Sequence, residues 1–291
     1  MNTMLVSSKW FTEGATNVDF IRANERVAPH SSRHCPVSSA EILTKFRERA
    51  NTLGIRLVNE QGALLKPHVK GDEVVGGDRY IYVAEVVDDA HKDYALSVGF
   101  RNFGDTTLAF SGMCGTNIFV CQNGCCSSIV KDSRMMHTKG NVSKGFLDEK
   151  IDNVFSRFLE DKDTIHDQIA EMKNTRLTDE ILGAFMRKAV GKWGANRNGE
   201  SVFISNALCG AKNLTRILED LENPAYNDHN DGSVFRLHNA CTKVTTHNFT
   251  NPNTGAMASR YFNNLIMGII HPDFKPLGDV IDVEDAEVVE E

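Results

Sequence analysis

The stretch from Asp93 to Cys126 constrains this chain most, because its apolar residues recur at the period of a strand and not of a helix. Tyr94, Leu96, Val98 and Phe100 alternate with Ala95, Ser97, Gly99 and Arg101, the pattern of a half-buried strand. Gly104-Asp105 supplies turn chemistry. Leu108 and Phe110 continue on a second strand, and Ile118, Phe119 and Val120 predict a third. Asn123-Gly124 is the strongest short hairpin signal in the chain, since a type I′ turn needs positive φ at both central residues. The expectation is an antiparallel β-meander.

Helical signals flank it. Ser38-x-x-Glu41 is a capping box, and Ile42, Leu43, Phe46, Ala50 and Leu53 then form one apolar face ending at Gly54, a helix-stop residue. Ile55 to Val58 and Tyr80 to Val87 read as strands, with Gly71, Gly76 and Gly77 marking a loop between them. After the meander comes a polar link, KDSRMMHTKGNVSKG, and then a long helix from about Leu147 to Asn174. Its stripe is Ile151, Val154, Phe155, Phe158, Leu159, Ile165, Ile169 and Met172. Thr178 starts a helix through Val190, and Gly191, Gly194 and Gly199 open a loop. Helices are predicted at Ala211–Leu221, Ser233–His247 and Ala256–Ile270, with ENPAYNDHNDG a loop by composition. The fold class is therefore α+β: an antiparallel β-meander with a capping helix before it, a long helix after it and a helical C-terminal half. One domain is expected over 1–277, its sheet part at about 38–145 and its helical part at about 146–271, followed by an acidic disordered tail at 278–291.

That tail carries seven acids and no Lys or Arg, leaving 32 acidic against 32 basic groups in residues 1–277. The whole net charge of −7 sits there, as in tails that meet a partner protein or merely keep a chain soluble. Hydrophobic content of 41% and charged content of 24% are those of a globular protein, and no apolar run approaches the ~18–20 residues a membrane span needs. The opening MNTMLVSSKWF lacks the apolar core of a signal peptide, and seven cysteines, an odd number, fit reduced thiols. A cytoplasmic protein without membrane contact is the expectation.

Three constellations could carry chemistry. Cys114, Cys121, Cys125 and Cys126 cluster, with His137 close behind, but a second tight ligand pair is missing, so core packing is favoured over a metal site. His238 and Cys241 share a helix face, while His247 lies about 14 Å further along at 1.5 Å per residue. Catalysis through Cys121 or Cys241 would need a histidine supplied by the fold. GxxxxGK[ST], GxGxxG, HExxH and GxSxG do not occur, so no catalytic residue, cofactor or metal is assigned. The third constellation is basic and amide-rich: Arg101, Asn102, Asn123, Lys131, Arg134, His137, Lys139 and Lys144, joined by Asn141. Lys and Arg on a mobile segment beside a sheet suit a polyanion groove.

VGFRNFGDTT from Val98 to Thr107, IFVCQNG from Ile118 to Gly124 and RMMHT from Arg134 to Thr138 resemble motifs of the phage/plasmid-like proteins of domain of unknown function 932. That family tends to read R-N-S-x-D-x-S, F-V-C-x-N and R-x-H-T in this order. VFRLHNA from Val234 to Ala240 and Thr246-His247 resemble its later W-x-x-x-N-A and T-H elements. Phe103-Gly104 replaces the family's serine and following polar residue, and Phe235 stands for its tryptophan. The resemblance implies a bacteriophage or mobile-element origin, hence the host bacterial cell and a host or phage protein as the tail's partner, and carries no reaction. The order helix, meander, long helix is also that of phage single-strand-annealing proteins. The resulting expectation is a non-enzymatic protein that binds single-stranded nucleic acid in phage recombination or replication, as a homo-oligomer. The rival expectations are a counter-defence or host-takeover protein that inhibits a bacterial protein, and a cysteine- or metal-dependent enzyme.

Overall fold

The structure, a computed structural model, describes residues 29, 31–64, 68–70, 73–75, 79–87, 94–104, 109–118, 123–129, 131–195, 201–206, 209–223, 232–248 and 252–275. Helix α1 (Ser39–Thr52) precedes a five-stranded antiparallel sheet ordered β1-β4-β5-β6-β7, made of β1 (Leu57–Leu64), β4 (Arg79–Val86), β5 (Tyr94–Phe103), β6 (Ser111–Ile118) and β7 (Asn123–Ile129). Strands β2 (His68–Lys70) and β3 (Glu73–Val75) pair separately. A 3-10 turn (Lys131–Ser133) and short helix α2 (Lys139–Ser143) lead into α3 (Phe146–Asn174). Then come α4 (Asp179–Ala189), the hairpin β8 (Gly191–Ala195) and β9 (Ser201–Ser205), α5 (Ala211–Glu222), α6 (Val234–Asn248) and α7 (Pro252–Ile270). The architecture is α+β, with a helical C-terminal half, as the sequence predicts.

The ends of α1 show why the chain folds locally as it does. Ser38 Oγ accepts from Ala40 N at 3.2 Å, satisfying a first-turn donor. At the other end Gly54 adopts φ +70°, Ile55 N donates to Ala50 O at 2.9 Å and Gly54 N to Asn51 O at 3.0 Å. Those two bonds make a Schellman stop, and they turn the chain straight into β1. Thr178 caps α4 in the same manner, accepting from Ile181 N.

The sheet has two different faces. On one, Tyr80, Tyr82, Tyr94, Leu96, Val98 and Phe100 meet α1 and α3. Phe46 of α1 stands 4.6 Å from Phe155 of α3 and 5.5 Å from Phe100 of β5 between ring centroids, bridging all three elements. Ile151, Val154, Phe155 and Phe158 of α3 are buried there, each burial contributing roughly 1.5–3 kcal/mol. A Cβ on Gly112 of β6 would come within 1.9 Å of Val154 Cγ2, so glycine is what lets α3 lie this close. The opposite face is buried as well but mixed in polarity: Glu85, Ser97, Arg101 and Ser111 sit among Ile81, Val83 and Met113. Asn59, in the left-handed region at φ 48° beside the β1 bulge, donates its amide to Glu85 there. In the helical half, Arg236 of α6 donates to Asp220 Oδ2 of α5 at 3.2 Å, and Lys243 also reaches Asp220. One apolar cluster runs from Val37 to Met267, joining sheet and helices.

Several sequence expectations are corrected. Asn123 and Gly124 open β7, paired with Ile118 and Asn117, so they are strand residues and not a turn. The second strand is β6 and not Leu108–Phe110; Phe110 makes only an isolated bridge, and Leu108, Phe119, Val120 and Cys121 lie outside the described residues. The first strand starts at Leu57 and runs past Val58 to Leu64. Gly191 and Gly194 belong to the β8–β9 hairpin: the glycines in this stretch were read as breakers, whereas Trp193 and Phe203 pair across it. Leu53 and Leu159, placed on apolar helix faces, are exposed. Residues 1–28, Gly71, Gly76, Gly77, Gly199, most of the 222–232 loop and the acidic tail at 278–291 lie outside the described residues.

Gly112→Ala is expected to lower unfolding free energy by about 1–3 kcal/mol through overpacking against Val154. Urea midpoints check this against Gly140→Ala, where an added Cβ meets nothing within 4 Å and stability should hold or rise.

Candidate functional site

The basic link between β7 and α3 is a tethered strap. Phe110 and Met135 exchange two backbone hydrogen bonds, each 3.0 Å. Cys35 N donates to His137 O at 2.9 Å, and Lys139 N donates to Arg33 O at 3.0 Å. Gly112 N donates to Ser133 Oγ at 2.7 Å, and Asn141 Nδ2 to Met136 O at 2.9 Å. Thr138 caps α2 by accepting from Asn141 N. These bonds correct the expectation of a mobile segment: the strap extends the β7 edge alongside β6.

Extended backbone makes successive side chains point oppositely, and the strap obeys. Ser133, Met135 and His137 are buried, whereas Arg134 and Met136 are exposed, Met136 by 60%; Lys139, where α2 begins, is exposed as well. Arg33 runs alongside and is exposed, and so is Lys144, whose Nζ lies 5.8 Å from the Phe146 ring centroid. None of the described ion pairs engages Arg33, Arg134, Lys139 or Lys144. Cations flanking an exposed thioether on a tethered edge are the residue types that a polyanion-binding surface uses.

The remaining members of the basic constellation have other places. Asn102 is buried and donates to Val37 O and Ser39 Oγ, both at 2.9 Å, so it anchors the chain entering α1. His137 is buried edge-on to His34, their centroids 6.2 Å apart. Asn123 and Lys131 have described backbones, at the start of β7 and of the 3-10 turn, and their side chains lie outside the described residues. Arg101 is buried in β5, on the sheet face away from α3. Arg33 joins the exposed cations through its carbonyl, which accepts from Lys139 N, a long-range contact without a local sequence signal.

The cysteine and histidine constellations are assembled differently from a reactive site. Cys114 is buried in β6. His238 and Cys241 are buried on α6, where burial holds the His238 imidazole down at about 4 and pushes the Cys241 thiol up. Burial also pushes Cys209 up to about 11, and Cys209 adds to the rise of Cys241. A raised thiol is the reverse of an activated nucleophile. The His247 side chain lies outside the described residues. Among the described residues no three His, Cys, Asp or Glu side chains converge as metal ligands.

A second concave feature, a cleft of about 930 Å³, lies between the end of α1 and the middle of α3. Its floor includes Leu53, Leu96 and Phe158, and the Tyr94 hydroxyl lies 2.7 Å from His166 Nδ1 near its rim. Arg56, Lys162, Asp163 and Asp167 mix both signs around it, so it lacks the single sign a polyanion selects. No family model matches the chain, and no curated protein or solved structure matches it either.

His137 is held down to about 4, by burial first and by His34 second, and His238 is held down equally. The native state therefore binds fewer protons than the unfolded chain below the ordinary imidazole value of 6.5. Stability is full above that value and falls as pH drops toward 4, by on the order of 3 kcal/mol per histidine. Urea midpoints between pH ~7 and ~4.5 should fall, and His137→Leu should flatten that fall. An unchanged slope would remove His137 from the account.

Proposed function

We propose that the chain is a non-enzymatic, phage-encoded nucleic-acid-binding protein that acts on single strands in recombination or replication. The observation that supports this reading is the outward row of the strap, Arg134, Met136 and Lys139, flanked by Arg33 and Lys144 and not neutralised by any described acid. A backbone-tracking groove needs phosphate-facing cations in series, and a soft apolar side chain between them offers contact for a base. The raised Cys209 and Cys241 thiols and the buried His238 imidazole favour this reading over a cysteine-dependent enzyme. Binding through the sugar-phosphate backbone makes affinity independent of sequence and steeply dependent on salt. The acidic tail, in this reading, meets a protein partner or competes with the bound strand. Assembly into a homo-oligomer would align several straps along one strand.

Fluorescence anisotropy with labelled oligonucleotides at ~50 and ~200 mM salt tests the proposal. Single strands should bind and weaken by an order of magnitude or more. Arg134→Ala and Lys139→Ala should each weaken binding uniformly across sequences and reduce the salt slope by about 1. Removing residues 278–291 should tighten binding. No binding at low salt would end this reading and turn attention to host-protein partners.

A further inference from the structure

Arg101 is a buried cation with no counter-charge among the described residues. Only 8% of it is exposed, Nη2 donates to Ser111 Oγ at 3.5 Å, and Nε meets no acceptor among the described residues. The charged group that affects it is another cation, Arg134, and burial itself favours losing the proton. A guanidinium does not stay buried in that state cheaply.

The sheet register explains how the two arginines meet. Arg101 of β5 pairs with Ser111 of β6. Phe110, the residue before Ser111, pairs with Met135, so antiparallel geometry sets Ser111 beside Arg134. Arg101, Ser111 and Arg134 therefore form one cross-strand row on the sheet face away from α3. Two strand intervals separate the arginine backbones by roughly 10 Å. The order across the row is guanidinium, hydroxyl, guanidinium, running from buried to exposed.

We propose that Arg101, Ser111 and Arg134 form an oxyanion site for a phosphate monoester. Two guanidinium forks and a hydroxyl offer donors on several sides of a tetrahedral group, and planar forks bind phosphate oxygens in pairs. Two positive charges match a monoester, which carries close to two negative charges at neutral pH, better than a diester, which carries one. Geometry selects in the same direction. Arg101 lies two strands inboard of the exposed Arg134, and a monoester presents three unesterified oxygens to it. An internal phosphodiester has a sugar on both sides and stays with the outer arginine. This inference rests on the nucleic-acid reading only for the carrier of the phosphate, which would be the phosphorylated end of a strand.

Calorimetric titration of the full chain with inorganic phosphate, and with sulfate at equal ionic strength, tests the site. Anisotropy with one oligonucleotide bearing a 5′-phosphate or a 5′-hydroxyl then tests the carrier. Phosphate and the isosteric sulfate dianion should both bind saturably, and the phosphorylated strand should bind at least about tenfold tighter than its hydroxyl twin. Arg101→Gln should collapse that ratio toward one. Arg134→Gln, at an exposed position, should weaken phosphate binding by a similar factor and covers the case in which the buried variant does not fold. Equal affinity for both strand ends with no phosphate binding would overturn the site while leaving general strand binding intact. Phosphate binding with no oligonucleotide binding would keep the site and end the nucleic-acid reading.

Discussion

The approach of α3 to the sheet at Gly112 governs the rest of the molecule. Val154 occupies the space a side chain at position 112 would take, and the same contact brings Ser133 Oγ within reach of Gly112 N. Helix, sheet and strap are thus fixed at one point. Phe155 of α3, one residue further on, stacks into Phe46 of α1, which in turn meets Phe100 and Tyr82 of the sheet. Because interiors are packed near crystal density, a shift of α3 by a methyl group's width would be felt at the strap. The exposed row Arg134, Met136 and Lys139 is therefore held by the core. It is not a loop that finds its shape on binding.

A sheet with one apolar face and one buried polar face carries a particular cost. Face-on packing against α1 and α3 supplies the burial free energy, while Glu85, Ser97, Arg101 and Ser111 on the reverse side must each find partners or lose the free energy of hydration. Glu85 has the Asn59 amide, and the bulge in β1 with its left-handed Asn59 is what aims that amide. Arg101 has one long contact to Ser111. The asymmetry between these two buried charges singles out the Arg101 end of the sheet as the chemically unfinished one.

Much of the scaffold was legible because its signals are local. Ser38 and Gly54 bound α1 by hydrogen bonds made within a few residues, and the stripe of α3 repeats often enough to define a face. Strand register was not legible. Asn123-Gly124 has the chemistry of a type I′ turn, yet pairing of Met113 through Ile118 with the following strand draws both residues into β7. The glycines after Val190 read as breakers, although Trp193 opposite Phe203 favours a hairpin. For the candidate site, the types were visible and the exposures were not. Arg134, Lys139 and Lys144 reach solvent, whereas Asn102 and His137 turn inward, because period-2 alternation along a strap says which residues share a side but not which side faces the core.

That same limit explains why Arg101 and Asn102, adjacent and both drawn from the sequence as one basic and amide-rich pair, do unlike things. Consecutive strand residues face opposite ways. Asn102 points toward α1 and spends its amide hydrogens on Val37 O and Ser39 Oγ, fixing the helix against the sheet. Arg101 points to the other face, across Ser111 toward Arg134. Asn102 thus serves the fold, and its neighbour is left with donors the fold does not use. A chain that keeps a guanidinium in such a position beside a second one keeps a standing electrostatic cost, and an incoming oxyanion is the group whose arrival would remove it.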